Sequence, residues 1–259
     1  MSGRIEIKEL TKVFARQNCD DTLLALDRIN VEIAPGEFVA LLGASGCGKS
    51  TLLRLIAGLE VPTKGEAIFN GVPIEGADPR RGLVFQEHTL FPWLTVRKNI
   101  EFALKATKQY KEEKHTIGQW ISIAGLTEFA DHYPHQLSGG MRQRAALVRA
   151  LAVSPDALLL DEPLGALDSF TRMTLQDELL RLWNKRKNTM VMVTHDVDEA
   201  IYLSQRILVM SPRPGRISKV IEVPMSYPRN RAHSDFTRLR SEILKLMDFA
   251  QEVQEEYTI

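Results

Sequence analysis

Residues 43 to 51 read "GASGCGKST", which fits the phosphate-loop spacing G-x-x-x-x-G-K-[ST] at Gly43, Gly48, Lys49 and Ser50. Glycines at those places let backbone N–H groups surround an anion. Lys49 is placed to neutralise β- and γ-phosphates, and the Ser50 hydroxyl suits Mg²⁺. An apolar run, "ALLLDEP", ends in Asp161 and Glu162. The first carboxylate can hold Mg²⁺ through water, and the second can polarise an attacking water as a general base. "VTHD" puts His195 at the end of a further apolar run, within reach of a γ-phosphate, and "GLVFQ" ends the same way in Gln86, whose amide can contact Mg²⁺ or water. A second anion-binding feature stands far along the chain. In "LSGGMRQR", Ser138, Gly139 and Gly140 open what reads as a helix, and free N–H groups with a positive dipole end attract phosphate.

These groups need a scaffold that carries them to one edge. "FVALLG" is a continuous apolar run suited to a strand buried on both faces, and "KSTLLRLIAGL" is a helix with Gly58 near its C-terminal end. A strand before the loop and a helix after it are the context the motif requires. Parallel strands would bring Gly43, Asp161 and His195 to one carboxyl edge. The first segment is strand-rich: "RIEIKEL" and "RINVEI" alternate, "APGE" turns at Pro35 and Gly36, and Asn70-Gly71 is a hairpin signal. From about 87 to 152 strand signals vanish, and "TVRKNIEFALKATKQY", "KEEKHTIGQWISIAGL" and "GGMRQRAALVRALAV" read as helices. The α/β rhythm then returns. "SFTRMTLQDELLRLWNKRK" is a helix opened by Asp168 or Ser169, "TMVMVTH", "RILVM" and "SKVIEV" are strands, and "DVDEAIYLS" is a helix. A charged helical tail starts near Ser234. The expected architecture is an α/β phosphate-loop core with a mixed sheet, an N-terminal antiparallel β subdomain and an inserted helical subdomain. It forms one domain over 1–259: 1–86 and 153–223 as core, 87–152 as the insert, and 224–259 as the tail.

Composition limits the function. The 259 residues carry 33 basic and 33 acidic side chains. Zero net charge argues against general nucleic-acid binding, which needs a basic surface. No apolar run reaches the length of a membrane span, and "MSGRIEIKEL" lacks the apolar core of a signal peptide. Cys19 and Cys47 have no metal-ligand spacing. The expected setting is reduced and cytosolic, with any membrane role exercised through a partner. A GTPase reading fails at "NKRK", because Asn184 has no following aspartate to read guanine.

The second phosphate site makes sense if two copies lie head to tail, each one's Ser138 and Gly140 closing on the γ-phosphate held by the other's loop. At this point the chain strongly resembles the ATP-binding-cassette (ABC) ATPases, over roughly 4–223. Gly43 to Thr51 match the Walker A loop, including Ala44, Ser45, Gly46 and Cys47. Gln86 matches the Q-loop, and Leu137 to Gln143 match the family signature with Met141 where glutamine is most frequent. Ala157 to Glu162 match Walker B, "LGALD" the D-loop with Asp168 at the dimer seam, and His195 the switch histidine. The resemblance adds Phe14 as the aromatic that stacks on adenine. It implies ATP and Mg²⁺ as ligands, a homodimer, and hydrolysis to ADP and phosphate coupled to transport. "VFQEHTLFPWLTVRKNI", "GALDSFTRMTLQDELLRLW" and "MSPRPGRI" look like the importer ATPases for nitrate, sulfonates and taurine. In those the ATPase sits at the cytoplasmic face of the membrane, beneath two transmembrane permease subunits fed by an external solute-binding protein. Leu90, Phe91 and Trp93 are the expected permease contacts. The competing class, a soluble cassette ATPase acting on DNA or ribosomes, usually carries two cassettes or a coiled-coil insertion, and this chain has neither.

Overall fold

The computed structural model describes residues 2–15, 22–86, 89–165 and 167–256, with side chains described up to 247. Cys19, Glu87, His88 and Ala166 of the "LGALD" stretch lie outside the described residues.

In chain order the elements are β1 (Ile5–Ala15), β2 (Thr22–Ile33), β3 (Phe38–Leu42), α1 (Lys49–Ala57), β4 (Lys64–Phe69), β5 (Val72–Pro73) and β6 (Arg81–Val84). Then come α2 (Val96–Ala106), α3 (Tyr110–Glu113), α4 (Ile117–Ile123), α5 (Gly139–Ala152), β7 (Ala157–Asp161) and α6 (Ser169–Arg186). The chain ends with β8 (Thr189–Thr194), α7 (Val197–Leu203), β9 (Arg206–Met210), β10 (Ile217–Glu222) and α8 (Ser234–Glu256). They fall into two compact units, one of residues 78–188 and one of residues 2–77 with 189–259.

The second of these holds two sheets. The first has the order β2-β1-β4-β5 and is antiparallel. Its alternation buries Ile5, Ile7, Leu10, Ile29 and Ile33. Asn70 and Gly71 carry the left-handed φ values of 51° and 78° that a two-residue hairpin turn needs. In the other sheet β3 runs parallel to β8 on one side and β9 on the other, and β10 closes antiparallel on β9. Every residue of β3 and β8 is buried, which is why both read as unbroken apolar runs. Gly58 ends α1 at φ 79°, its N–H returning to the carbonyls of Arg54 and Leu55. A Cβ there would fall 2.1 Å from the Gly76 carbonyl oxygen.

In the unit of residues 78–188, β6 and β7 pair in parallel and the helices follow one another around α5. Here the structure departs from the expected helices. The first stops at Ala106, with Lys108 left-handed at φ 61°. The expected helix over 111–126 is the short α3, a 3-10 turn and α4. Its polar half buries nothing, so no packing sustains a long helix there. The buried stripe Ile117, Trp120, Ile121 and Ala124 does sustain α4.

Candidate functional site

The phosphate loop joins β3 to α1. Gly46 and Gly48 stand at φ 77° and 105°, backbone that L side chains rarely adopt. At Gly48 a Cβ would also meet Leu26 Cδ2 at 2.7 Å and the Ala25 carbonyl at 3.1 Å. Lys49 is 5% exposed and donates to the carbonyls of Gly43 (2.8 Å) and Ala44 (2.9 Å), so its ammonium stands inside the curve of the loop. Ser45 and Gly46 form the exposed tip, Cys47 is buried, and Ser50 and Thr51 lie in the first turn of α1. The parallel register pairs Leu42 with Thr194, so Gly43 and His195 both leave the sheet just past the same edge. Asp196 then caps α7, accepting from Asp198 N and Glu199 N. Phe14, on β1, is half-buried, and the Lys12 ammonium covers its ring at 4.8 Å from the centroid.

In the unit of residues 78–188 the register pairs Val84 with Leu160. Gln86, Asp161 and Glu162 therefore emerge at one carboxyl edge. Gln86 Nε2 donates to Glu162 Oε2 at 3.3 Å, and Asp161 is buried. Glu162 holds a left-handed φ of 46°, a conformation that costs a non-glycine residue on the order of 1–2 kcal/mol. Its carbonyl accepts from Gln143 Nε2 and from the Gly165 N–H, both at 3.3 Å. Gln143 belongs to α5, so the helix opened by Ser138 also grips the backbone of Glu162. In the sequence Gln143 is only the end of a motif, and no local signal points to that grip.

Ser138 is the N-cap of α5, its hydroxyl accepting from Met141 N at 3.3 Å. Gly139 and Gly140 form the first turn, and a Cβ on Gly140 would meet Leu167 Cδ2 at 3.1 Å. Asp168, not Ser169, caps α6 and accepts from Thr171 N at 3.0 Å. The Thr171 backbone bond, followed by that residue's side chain, holds the Asp168 carboxyl below its ordinary range.

The expected permease contacts need one correction. Leu90 is buried and offers no surface, because the segment folds its aliphatic side chain inward. Trp93 is 69% exposed, Phe91 is half-buried, and Phe91 stacks edge-on against Phe102 at 4.6 Å. Two residues missed in the sequence hold this segment. Buried Asn99 accepts from Phe91 N and donates to the carbonyls of Leu94 and Thr95. Arg149 of α5 donates to Thr89 O (2.8 Å) and Thr89 Oγ1 (3.1 Å), with its guanidinium 5.6 Å from the Phe91 centroid.

A glycine-lined loop between a buried parallel strand and a helix, with a strand-end carboxylate pair, defines a P-loop nucleoside triphosphatase. The comparisons narrow that class. The ABC transporter family profile matches residues 26–165. The aliphatic sulfonates import ATP-binding protein SsuB of Bacillus thuringiensis subsp. konkukian is 47% identical over 96% of this chain and 98% of its own. An uncharacterized ABC transporter ATP-binding protein of Methanocaldococcus jannaschii, MJ0412, is 45% identical over 95% of this chain and 92% of its own. A solved structure, the dimeric post-hydrolysis state of the ATP-binding cassette MJ0796 bound to ADP and Pi, superposes with a TM-score of 0.76 at 33% identity. It covers 86% of this chain and 100% of that chain. The chain belongs to the ABC transporter family.

Proposed function

We propose that this chain is the ATP-hydrolysing subunit of a membrane importer for aliphatic sulfonates, nitrate, taurine or a related small solute. It works as a head-to-tail homodimer with two ATP sites. The observation that carries the reading is Glu162, whose carboxylate is bonded by Gln86 and whose backbone is gripped by Gln143. A general base must be held where its water will sit, and here both bonds come from elements expected to sense nucleotide.

The loop fits a triphosphate. Its left-handed glycines leave a cradle that a side chain would fill, and Lys49 brings a buried positive charge to it. Gly43 to Thr51 bind the phosphates, and Phe14 stacks on adenine. The Ser50 hydroxyl, Gln86 amide and Asp161 carboxylate are hard oxygen donors of the kind Mg²⁺ takes in small number beside phosphates. When bound, Mg²⁺ neutralises charge developing on the β- and γ-oxygens. Glu162 accepts the proton of the attacking water, and His195 donates to the γ-phosphate. Ser138, Gly139 and Gly140 of a second copy close over that phosphate, with Asp168 at the seam.

The membrane partners are two permease subunits at the cytoplasmic face, reached through Phe91 and Trp93. An external solute-binding protein acts indirectly, and no nucleic acid is involved. No described helix is long and apolar enough to cross a membrane. Residues 87–152 form the helical subdomain, 1–86 and 153–223 the core, and 224–259 the tail. Nucleotide binding and phosphate release by the purified chain, with Lys49→Ala as control, test the proposal. A parent that neither binds ATP nor releases phosphate overturns it.

A further inference from the structure

The segment 211–216, "SPRPGR", is tied down more heavily than a connection between two strands requires. It closes on itself through Ser211 N to Arg216 O (2.9 Å) and Arg216 N to Ser211 Oγ (3.1 Å). It joins β2 through Gly215 N to Ala25 O (2.9 Å) and Asp27 N to Gly215 O (3.0 Å). The Arg216 guanidinium grips the Asp27 carboxylate with two bonds, at 2.9 and 2.5 Å. Gly215 is pressed so closely on the phosphate loop that a Cβ would fall 2.1 Å from the Cys47 carbonyl oxygen. At the tip of this strap the Arg213 guanidinium donates twice to the Gly46 carbonyl, at 3.2 and 2.9 Å.

We infer that Arg213 is a positioning residue for the triphosphate, holding the tip of the phosphate loop in its binding shape from outside. A trans peptide points its carbonyl and its N–H in opposite directions. Fixing the Gly46 carbonyl outward therefore commits the Cys47 N–H to the concave side, where it already donates across the loop to Ala44 O at 3.4 Å. Gly46 needs such a tether because glycine, alone among residues, enters its left-handed φ of 77° and leaves it at almost no cost. Without Arg213, part of the binding energy of each nucleotide goes to ordering the loop. The guanidinium also adds positive charge outside the phosphates.

This inference rests on the ATP reading of the loop, and the test separates the two. KM and kcat for ATP, and the melting temperature with and without ATP, are measured on the full chain and on Arg213→Ala and Arg213→Lys. For Arg213→Ala, KM rises roughly three- to tenfold, as loss of a charge-assisted bond at an exposed site implies, while kcat stays near the parent value. The ATP-induced rise in melting temperature shrinks, the nucleotide-free melting temperature is unchanged, and Arg213→Lys recovers part of the KM. Gly215→Ala, which pushes the strap off Cys47, raises KM in the same direction. A parent that binds ATP beside an Arg213→Ala variant with the same KM and the same ATP-induced shift overturns this inference alone. A parent that binds no ATP overturns the ATPase reading and this inference with it.

Discussion

At the residue scale, the chemistry concentrates on side chains whose roles depend on a bond or a charge. Glu162→Gln keeps the bulk and can still pair with Gln86, but it cannot take a proton. Steady-state phosphate release should fall by roughly 10²–10⁴-fold with ATP binding retained, and turnover at the parent rate would remove Glu162 as the base. Cys47 is buried inside the loop. Its alkylation should be slow, should block nucleotide binding, and should be prevented by ATP; full activity after complete modification, read by mass spectrometry, would contradict this. Asp168 carries a pH signature. Its folded pKa lies below the unfolded one, so its ionised form stabilises the fold above the unfolded pKa, and that contribution is lost as pH falls through the folded value. Asn keeps an acceptor oxygen for the Thr171 N–H but carries no negative charge at the helix N-terminus. Urea unfolding should therefore show Asp168→Asn below the parent at neutral pH, with the two converging in acid.

At the element scale, α5 is the hub of its unit. Its start carries the Ser138 cap and the paired glycines, its middle grips Glu162 through Gln143, and its end holds Thr89 through Arg149. Arg149 is partly desolvated, and that burial lowers its pKa. Arg149→Ala removes both bonds to Thr89 and should cost about 1.5–3 kcal/mol in urea unfolding, the range for hydrogen bonds to a charged group. The segment bearing Phe91 and Trp93 should also become more open to protease. A parent-like unfolding midpoint and digestion rate would mean that the tie does not hold the segment.

At the scale of the whole molecule, the role proposed for the Ser138 helix start requires a second copy. Glu162→Gln should pass from monomer to dimer on adding ATP, measured by size-exclusion chromatography with light scattering. Adding Ser138→Arg should keep ATP binding but block the dimer, since a long cation replaces the cap hydroxyl. ATP-dependent dimerisation of that double variant would refute the trans assignment. A Glu162→Gln chain that binds ATP and stays monomeric would move closure to the complete importer.

What the sequence determined by itself is local. The phosphate loop is contiguous, so its glycines, lysine and serine need only one strand and one helix to be recognised. Buried parallel strands reveal themselves because both faces need apolar side chains, and a helix cap acts over a single turn, which narrows it to Asp168 or Ser169. The tertiary structure alone decided which distant groups meet. Gln86 and Glu162 are 76 residues apart, and Arg213 and Gly46 are 167 apart. Their contacts depend on strand register and on a strap pinned to another strand, neither of which leaves a periodic trace. Leu90 shows the converse. An apolar residue in an aromatic segment reads the same whether it faces a partner or its own core, and only packing chose the core.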